Sequence, residues 1–389
     1  MNALQKKTSV VIVGGGLAGL VSAIELAKSG ISVVLIEKNT YPFHRVCGEY
    51  ISNEVKMYLS QLLGFSIDSL GSSCIDTLQI TDTNGQELIQ ALDMGGFGLS
   101  RFALDKALVD VAQRVGVTVW INESVDEIRR ISEDEYCIKT KSGRQVEAIC
   151  VLGAHGKRSH LDRVLNRSFF KKRSEYVGVK YHISYSFPQN QISLHNFEGG
   201  YCGISAIEED RYCLCYLVEK KQVQKAGGIK ELEQSVLIKN NYLAHIFENA
   251  IFLYDKPLVI SEVSFREKEK VVNGILMIGD SAGLIAPLCG NGMAMAIKSG
   301  KIASEWIIPF INNKIDRQKM EKGFVKSWQK EFAKRKLEIT YRTRNYQFEE
   351  RIKLFGNRIN PIGIALYGIF HLKKAYDPRK ITIDRLQMV

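Results

Sequence analysis

The sequence predicts an α/β fold: a parallel-sheet, dinucleotide-binding domain interrupted by a second, sheet-based unit and followed by a basic helical tail. Three observations carry that expectation. The chain opens with an apolar strand, a glycine turn, an apolar helix and a second strand over Val10–Lys38. A second strand–turn–helix signal, built on Gly279 and Asp280, returns about 265 residues later. Between Tyr176 and Ser264 the alternation of strand and helix gives way to short β-rich runs. The expected units are 1–175 and 265–310 for the two parts of the nucleotide domain, 176–264 for the sheet unit and 311–389 for the basic helical region.

The first unit justifies itself element by element. Ser9–Val13 is a short β-branched run, Leu17–Ser29 is apolar at helical spacing with Gly30 as its stop, and Ser32–Ile36 is the second strand, ending at Glu37. Residues 39–71 are irregular and then helical. Hairpin turns follow at Asn84-Gly85 and Ser142-Gly143, with an amphipathic helix over Arg101–Val115 and a strand over Val117–Ile121 between them. Strands are expected at Val177–Ser186, Gln191–Phe197, Tyr201–Ile207 and Tyr212–Val218, then a helical stretch near Ile229–Phe247 and a helix over Met293–Trp306.

Composition bounds the function. With 389 residues, 45% hydrophobic and 24% charged, the chain can bury a sizeable core. It contains no apolar run of about 20 residues, and the N-terminal apolar stretch breaks into glycines too early for a signal peptide, so a cytoplasmic protein is expected. The eight cysteines are scattered with no metal-ligand spacing, which argues for reduced thiols and no metal. Residues 311–389 carry 19 Lys and Arg against 8 Asp and Glu, so the whole net charge of +11 sits in the C-terminal fifth. A local basic surface suits an anionic ligand or a membrane face, and argues against nucleic acid spread over the surface.

The chemistry is carried by two motifs. In Gly14-x-Gly16-x-x-Gly19, the first glycine permits the tight turn, the second lets a pyrophosphate approach the backbone, and the third packs helix on strand. The helix start offers free N–H groups and a positive dipole end, and Glu37 is placed to accept ribose hydroxyls. The second motif runs from Ile275 through Gly279-Asp280-Ser-Ala-Gly283 to Pro287-x-x-Gly290-x-Gly292. There Asp280 can accept from a sugar-like hydroxyl, and another helix start can face a partly negative group.

This pair of motifs resembles the flavoproteins of the para-hydroxybenzoate hydroxylase fold, which include aromatic-ring monooxygenases, flavin-dependent halogenases and geranylgeranyl reductases. The resemblance covers roughly residues 8–310 and implies a GR2-type Rossmann-like FAD-binding domain with an inserted substrate domain. It implies FAD as cofactor, with NAD(P)H as co-substrate. Asp280 would take the ribityl chain, Arg45 and Arg101 would lie near the phosphates or ring, and the backbone at Val125 would touch adenine. The implied cofactor contacts are Gly14, Gly16, Leu17, Ala18, Gly19, Glu37, Lys38, Arg45, Cys47, Arg101, Val125, Gly279, Asp280, Pro287, Gly290 and Gly292. Arg45-Val-Cys47-Gly48-Glu49 resembles the Cys-Gly element of the reductase branch, making Cys47 the candidate catalytic residue. Phe197-Glu-Gly-Gly-Tyr201 resembles that branch's cavity-lining strand, making Tyr201 the candidate substrate contact.

The resemblance implies an FAD-dependent oxidoreductase that hydroxylates or epoxidises an aromatic or lipophilic small molecule. The alternatives are reduction of a carbon–carbon double bond in an isoprenoid or polyketide-like substrate, and a flavin-binding protein without turnover. The halogenase element Trp-x-Trp-x-Ile-Pro is absent from the sequence. Where the family has Asp-Gly, this chain has His155-Gly156, followed by Lys157 and Arg158, which puts the nicotinamide contact in question. The tail segment Ile362–Phe370, flanked by lysines and arginines, is expected to dock on the core or to make a peripheral membrane contact.

Overall fold

The computed structural model describes residues 6–171, 175–263, 268–283 and 292–342, without the side chains of Lys6, Lys171, Glu262 and 333–342. Pro287, Gly290 and the Ile362–Phe370 run lie outside the described residues. In chain order the elements are β1 (Lys6–Val13), α1 (Leu17–Lys28), β2 (Val33–Ile36), β3 (Tyr50–Ser52), α2 (Lys56–Leu63), β4 (Ser73–Thr81), β5 (Glu87–Gly98), α3 (Arg101–Arg114), β6 (Thr118–Trp120), β7 (Val125–Ser132), β8 (Glu135–Thr140), β9 (Gln145–Gly153), α4 (His160–Val164), β10 (Tyr176–Ser184), β11 (Gln191–Phe197), β12 (Gly200–Ala206), β13 (Tyr212–Glu219), α5 (Lys220–Ala226), α6 (Ile229–Ser235), α7 (Asn241–Asn249), β14 (Ile251–Phe252), β15 (Leu258–Val263), β16 (Val271–Val272), β17 (Ile275–Met277), α8 (Gly292–Ile311) and α9 (Arg317–Arg342).

Two sheets organise the chain. The first has the order β16-β17-β9-β1-β2-β6, with the β7–β8 hairpin joined to β9. β1 lies at its centre, parallel to β2 and β9, and Val10, Val11 and Ile12 are wholly buried. That is why this strand is apolar on both faces instead of alternating. Helices α1, α3 and α8 bury one face of the sheet, and the β7–β8 hairpin shares a smaller cluster on the other.

The second sheet has the order β14-β10-β13-β12-β11-β4-β5-β3, with β15 also on β10. It draws on more of the chain than residues 176–264, because β3, β4 and β5 from within residues 50–98 belong to it. The Asn84-Gly85 turn announces that β4 and β5 pair with each other, but not where the pair goes. Its destination is set by the parallel pairing of β4 with β11, which sets Leu78 beside Ile192 and Ile80 beside Leu194. Helices α6 and α7 cover one face of this sheet, over Tyr181, Tyr216, Leu214 and Val218.

The antiparallel registers fix the opposite face row by row. Ile192, Ser205, Cys213 and His182 stand side by side across β11, β12, β13 and β10. The next row is Leu194, Gly203, Cys215 and Lys180, and the third is Asn196, Tyr201, Leu217 and Gly178. Residues in one row share a face because side chains alternate along each strand.

The two ends of the FAD-type motif pair meet at α1. A Cβ on Gly279 would lie 3.0 Å from the Ala18 Cβ, and one on Gly300 of α8 would lie 2.5 Å from the Ala18 carbonyl oxygen. Ser22 donates to the Gly300 carbonyl at 3.0 Å. Gly300→Ala is therefore expected to prise α8 off α1, at about 1–3 kcal/mol. Thermal unfolding should show a lower Tm, while Gly116→Ala, which has open space around its Cβ but a left-handed φ of 95°, should lose only the backbone term.

Candidate cofactor and active site

The glycine turn has the geometry that its spacing predicts. Gly14 has φ 110°, and a Cβ on Gly19 would fall 2.1 Å from the Gly14 carbonyl oxygen, so α1 can sit this close to β1 only without a side chain there. α1 starts with no side-chain cap and no acidic residue in its first turn. Leu17 and Ala18 are buried in that turn. Its N–H groups and dipole thus remain available to an anion.

Two arginines flank the turn. A Cβ on Gly16 would lie 3.8 Å from Arg101 Nη2. Arg101 donates to both oxygens of the buried Asp105, at 2.9 and 2.8 Å, and Arg45 Nε donates to the same carboxylate at 3.0 Å. Arg45 Nη2 also reaches the Gly15 carbonyl at 3.3 Å and Glu37 at 3.4 Å. Asp105, which the sequence reading did not single out, therefore aligns both cations beside the turn.

Glu37 is more committed than a simple ribose acceptor. Its Oε2 accepts from the Gly15 N–H at 2.8 Å and Oε1 accepts from the Asn39 backbone and side-chain amides at 3.0 and 2.9 Å. Tyr41 donates its hydroxyl to the Gly15 carbonyl. A ribose hydroxyl reaching Glu37 would take the place of Asn39 or Arg45. Lys38 is exposed at the end of β2, and Val125 is buried at the start of β7 in one cluster with Ile36 and Trp120.

The second motif is held from below by cations. Gly279 has φ 57° and donates its N–H to Ser299. Lys268 donates to the Asp280 carbonyl at 2.9 Å and to the Lys157 carbonyl at 2.6 Å, while Lys270 donates to the Ala282 carbonyl. Burial lowers the Lys268 ammonium to about 8. Among the described residues, no side chain donates to the Asp280 carboxylate. Gly292 opens α8, and it is the one member of the Pro287, Gly290, Gly292 series within the described residues.

His155 is built into the fold. It meets Asp162 at 3.1 Å, and Asp162 also accepts from the fully buried Arg167 and from the Ser159 N–H. Arg158 is occupied by the Phe170 carbonyl and ring, so it does not stand as an open phosphate ligand. Asp162 is itself buried and spent on His155, Arg167 and the cap of α4.

Cys47 lies on a segment fastened across the second sheet. Lys180 Nζ donates to the Arg45 carbonyl at 3.2 Å, Cys213 Sγ to the Cys47 carbonyl at 3.2 Å and Ser205 Oγ to the Gly48 carbonyl at 3.4 Å. Val46 packs over Gly178, whose missing side chain leaves the room. Tyr201 is half-buried two rows along from Ser205. The segment ends at Glu49, a fully buried carboxylate with φ 56°. Glu49 accepts from Lys180 at 2.5 Å, from His182 at 2.6 Å and from the Arg101 backbone N–H at 2.7 Å. Burial pushes its carboxyl up, but the His182 hydrogen bond and the Lys180 charge outweigh that and hold it at about 2. Sequence reading passed over Lys180 and His182, although two polar residues on one face of an otherwise apolar strand were a visible signal.

These groups fit FAD: an uncapped helix start with two aligned arginines for the diphosphate, and the Gly279-Asp280 turn against the same helix for the ribityl chain. The family model described as "FAD binding domain" matches residues 7–308. The chain belongs to that family. Among curated proteins, the digeranylgeranylglycerophospholipid reductase of Methanosarcina acetivorans is 26% identical over 343 residues, covering 82% of this chain and 80% of the relative. Among solved structures, a flavoprotein/dehydrogenase from Cytophaga hutchinsonii superposes with TM-score 0.74 at 18% identity, covering 94% of this chain and 92% of that one. A geranylgeranyl bacteriochlorophyll reductase-like protein from Thermoplasma acidophilum gives 0.68 at 20%, covering 84% of each chain. The protein is an FAD-dependent oxidoreductase by family. Among the described residues, no helix is long and apolar enough to cross a membrane.

Two outcomes follow. Asp280→Ala and Arg45→Ala should each lower the flavin-to-protein absorbance ratio of the purified protein, whereas Arg158→Ala should leave it unchanged. Glu49 has its carboxyl depressed from 4.5 to about 2, so its contribution to stability is full above pH 4.5 and is lost as pH falls towards 2. Denaturant titrations should show the stability gap between wild type and Glu49→Gln closing over that window.

Proposed function

We propose that this protein is an NAD(P)H-driven, FAD-dependent reductase that saturates a carbon–carbon double bond in a lipophilic, isoprenoid- or polyketide-like molecule. The observation that carries this reading is the placement of the Cys47-Gly48 segment on the sheet face that bears Tyr201. That face continues into an apolar cluster of Leu78, Ile80, Ile192 and Leu194, with Leu88 and Tyr201 packed against it. A wall of this kind suits a long apolar chain and excludes water from it. The reductase relatives support the same branch.

FAD, when bound, supplies the hydride chemistry. The chain's part is to bind and orient. Arg45 and Arg101, aligned by Asp105, neutralise the diphosphate, while the apolar rows hold the substrate chain. Saturating a double bond also needs a proton, and the Cys47 thiol is the candidate to deliver it. The basic region 311–389 would keep such a protein near an anionic lipid surface that presents the substrate.

Anaerobic mixing with NADPH and with NADH should bleach the flavin with at least one of them. Re-oxidation should then follow addition of a polyprenyl alkene, with a product two hydrogen atoms heavier by mass spectrometry. A product carrying an oxygen atom, formed only in air, would replace this reading with the monooxygenase one.

A further inference from the structure

The buried cluster Glu49–Lys180–His182 lies beneath the two arginines without touching the glycine turn, and it sits where three separate pieces of the chain converge. Its carboxylate takes the Arg101 N–H at the start of α3, and the Arg101 side chain lies beside Gly16. It takes Lys180 and His182 from β10, and Lys180 in turn holds the Arg45 carbonyl. It also ends the segment that carries Cys47, two residues away. A non-glycine residue at φ 56° is strained, and such a conformation persists where its surroundings over-determine it. Here three donors and the Leu99-to-Glu49 backbone bond do so.

A second reading of the same atoms is a cation site, since ligand atoms of Glu49, His182 and Cys213 lie within 4.8 Å of one another. The surroundings argue against it. Lys180 already neutralises the carboxylate at 2.5 Å, and burial keeps the Cys213 thiol protonated while its hydrogen goes to the Cys47 carbonyl. A metal would have to displace a buried ammonium and a thiol proton together.

We propose that Glu49 is a positioning residue: its ion pair with Lys180 and its hydrogen bond from His182 set the place of Cys47 on the second sheet relative to the glycine turn. The turnover arm of this proposal rests on the reductase reading; the placement arm does not. Losing the charge leaves Lys180 as an uncompensated buried cation, and the segment then keeps only its carbonyl bonds to the sheet, one of them from that same Lys180.

The test is made on the FAD-loaded protein. Cys47 alkylation by iodoacetamide is followed by peptide mass spectrometry, with the exposed Cys74 as internal reference. In Glu49→Gln, compared at equal flavin loading, the Cys47 rate should rise about tenfold or more relative to Cys74, as expected for loss of a charge-assisted buried bond. Where a reducible alkene has been found, kcat should fall about 100-fold with KM little changed, as misplacement by about 1 Å does. If Glu49→Gln does not fold, Glu49→Asp keeps the charge, tolerates the left-handed backbone and withdraws the carboxylate by one methylene, and the same rise is expected. A wild-type Cys47 rate in whichever variant folds overturns the proposal. So does stoichiometric zinc in the wild-type protein that is lost in Glu49→Gln, which would make the cluster a metal site. Failure to find any reducible alkene overturns the reductase reading and leaves the alkylation result to decide the placement on its own.

Discussion

The architecture depends on how closely other backbone can approach the first turns of α1. Gly19 within this stretch and Gly279 and Gly300 beside it would put a Cβ 2.1 Å from the Gly14 oxygen, 3.0 Å from the Ala18 Cβ and 2.5 Å from the Ala18 oxygen, and one on Gly14 would lie 2.3 Å from the Ala154 oxygen that follows β9. Chain segments almost three hundred residues apart in sequence are thereby brought onto one helix start. A helix dipole falls off within a turn, so this closeness decides whether the second motif can share a ligand with the first. The glycines are therefore a packing requirement as much as a phosphate-binding one.

The second sheet meets this centre through charge. Lys180, Ser205 and Cys213 stand at fixed row positions and each takes a main-chain carbonyl of the segment between Arg45 and Gly48. A segment without regular structure satisfies its polar groups this way. Next to it, His44 stacks on Phe102, meets His182 edge-on and lies tilted against Tyr254, and among the described residues its Nδ1 and the Tyr254 hydroxyl are buried without hydrogen-bond partners. Burial and the neighbouring cations hold the His44 imidazole down to about 4, so it is neutral near pH 7.

Much of this was legible in the sequence wherever the signal was local. The glycine turn, the two hairpin turns, the Arg101 helix and the strands of residues 176–219 follow from spacing and turn chemistry, and they fall within a few residues of the observed limits. Long-range choices were not legible. Nothing near Asn84-Gly85 says that β4 will pair with β11. The partners of Glu37, which leave it less free than its position suggested, come from Arg45 and Asn39 in an irregular stretch. The structural part that His155 plays emerges only when Asp162 is seen beside it. In each case the deciding partner lies outside the local pattern that sequence periodicity can register.

The β4–β11 pairing has a consequence for how the protein is made. During synthesis the β4–β5 hairpin is complete at Gly98, when its parallel partner, which starts at Gln191, is still about 90 residues from being made. At about 5–20 residues per second, that edge waits some seconds for its mate. Its unpaired groups, with the exposed Ile89 nearby, are then a template for pairing with other chains. Expression yield should therefore respond to translation speed and to chaperones that hold open strand edges, and cutting the chain between β5 and β10 to obtain either sheet alone would leave each half with an orphan edge.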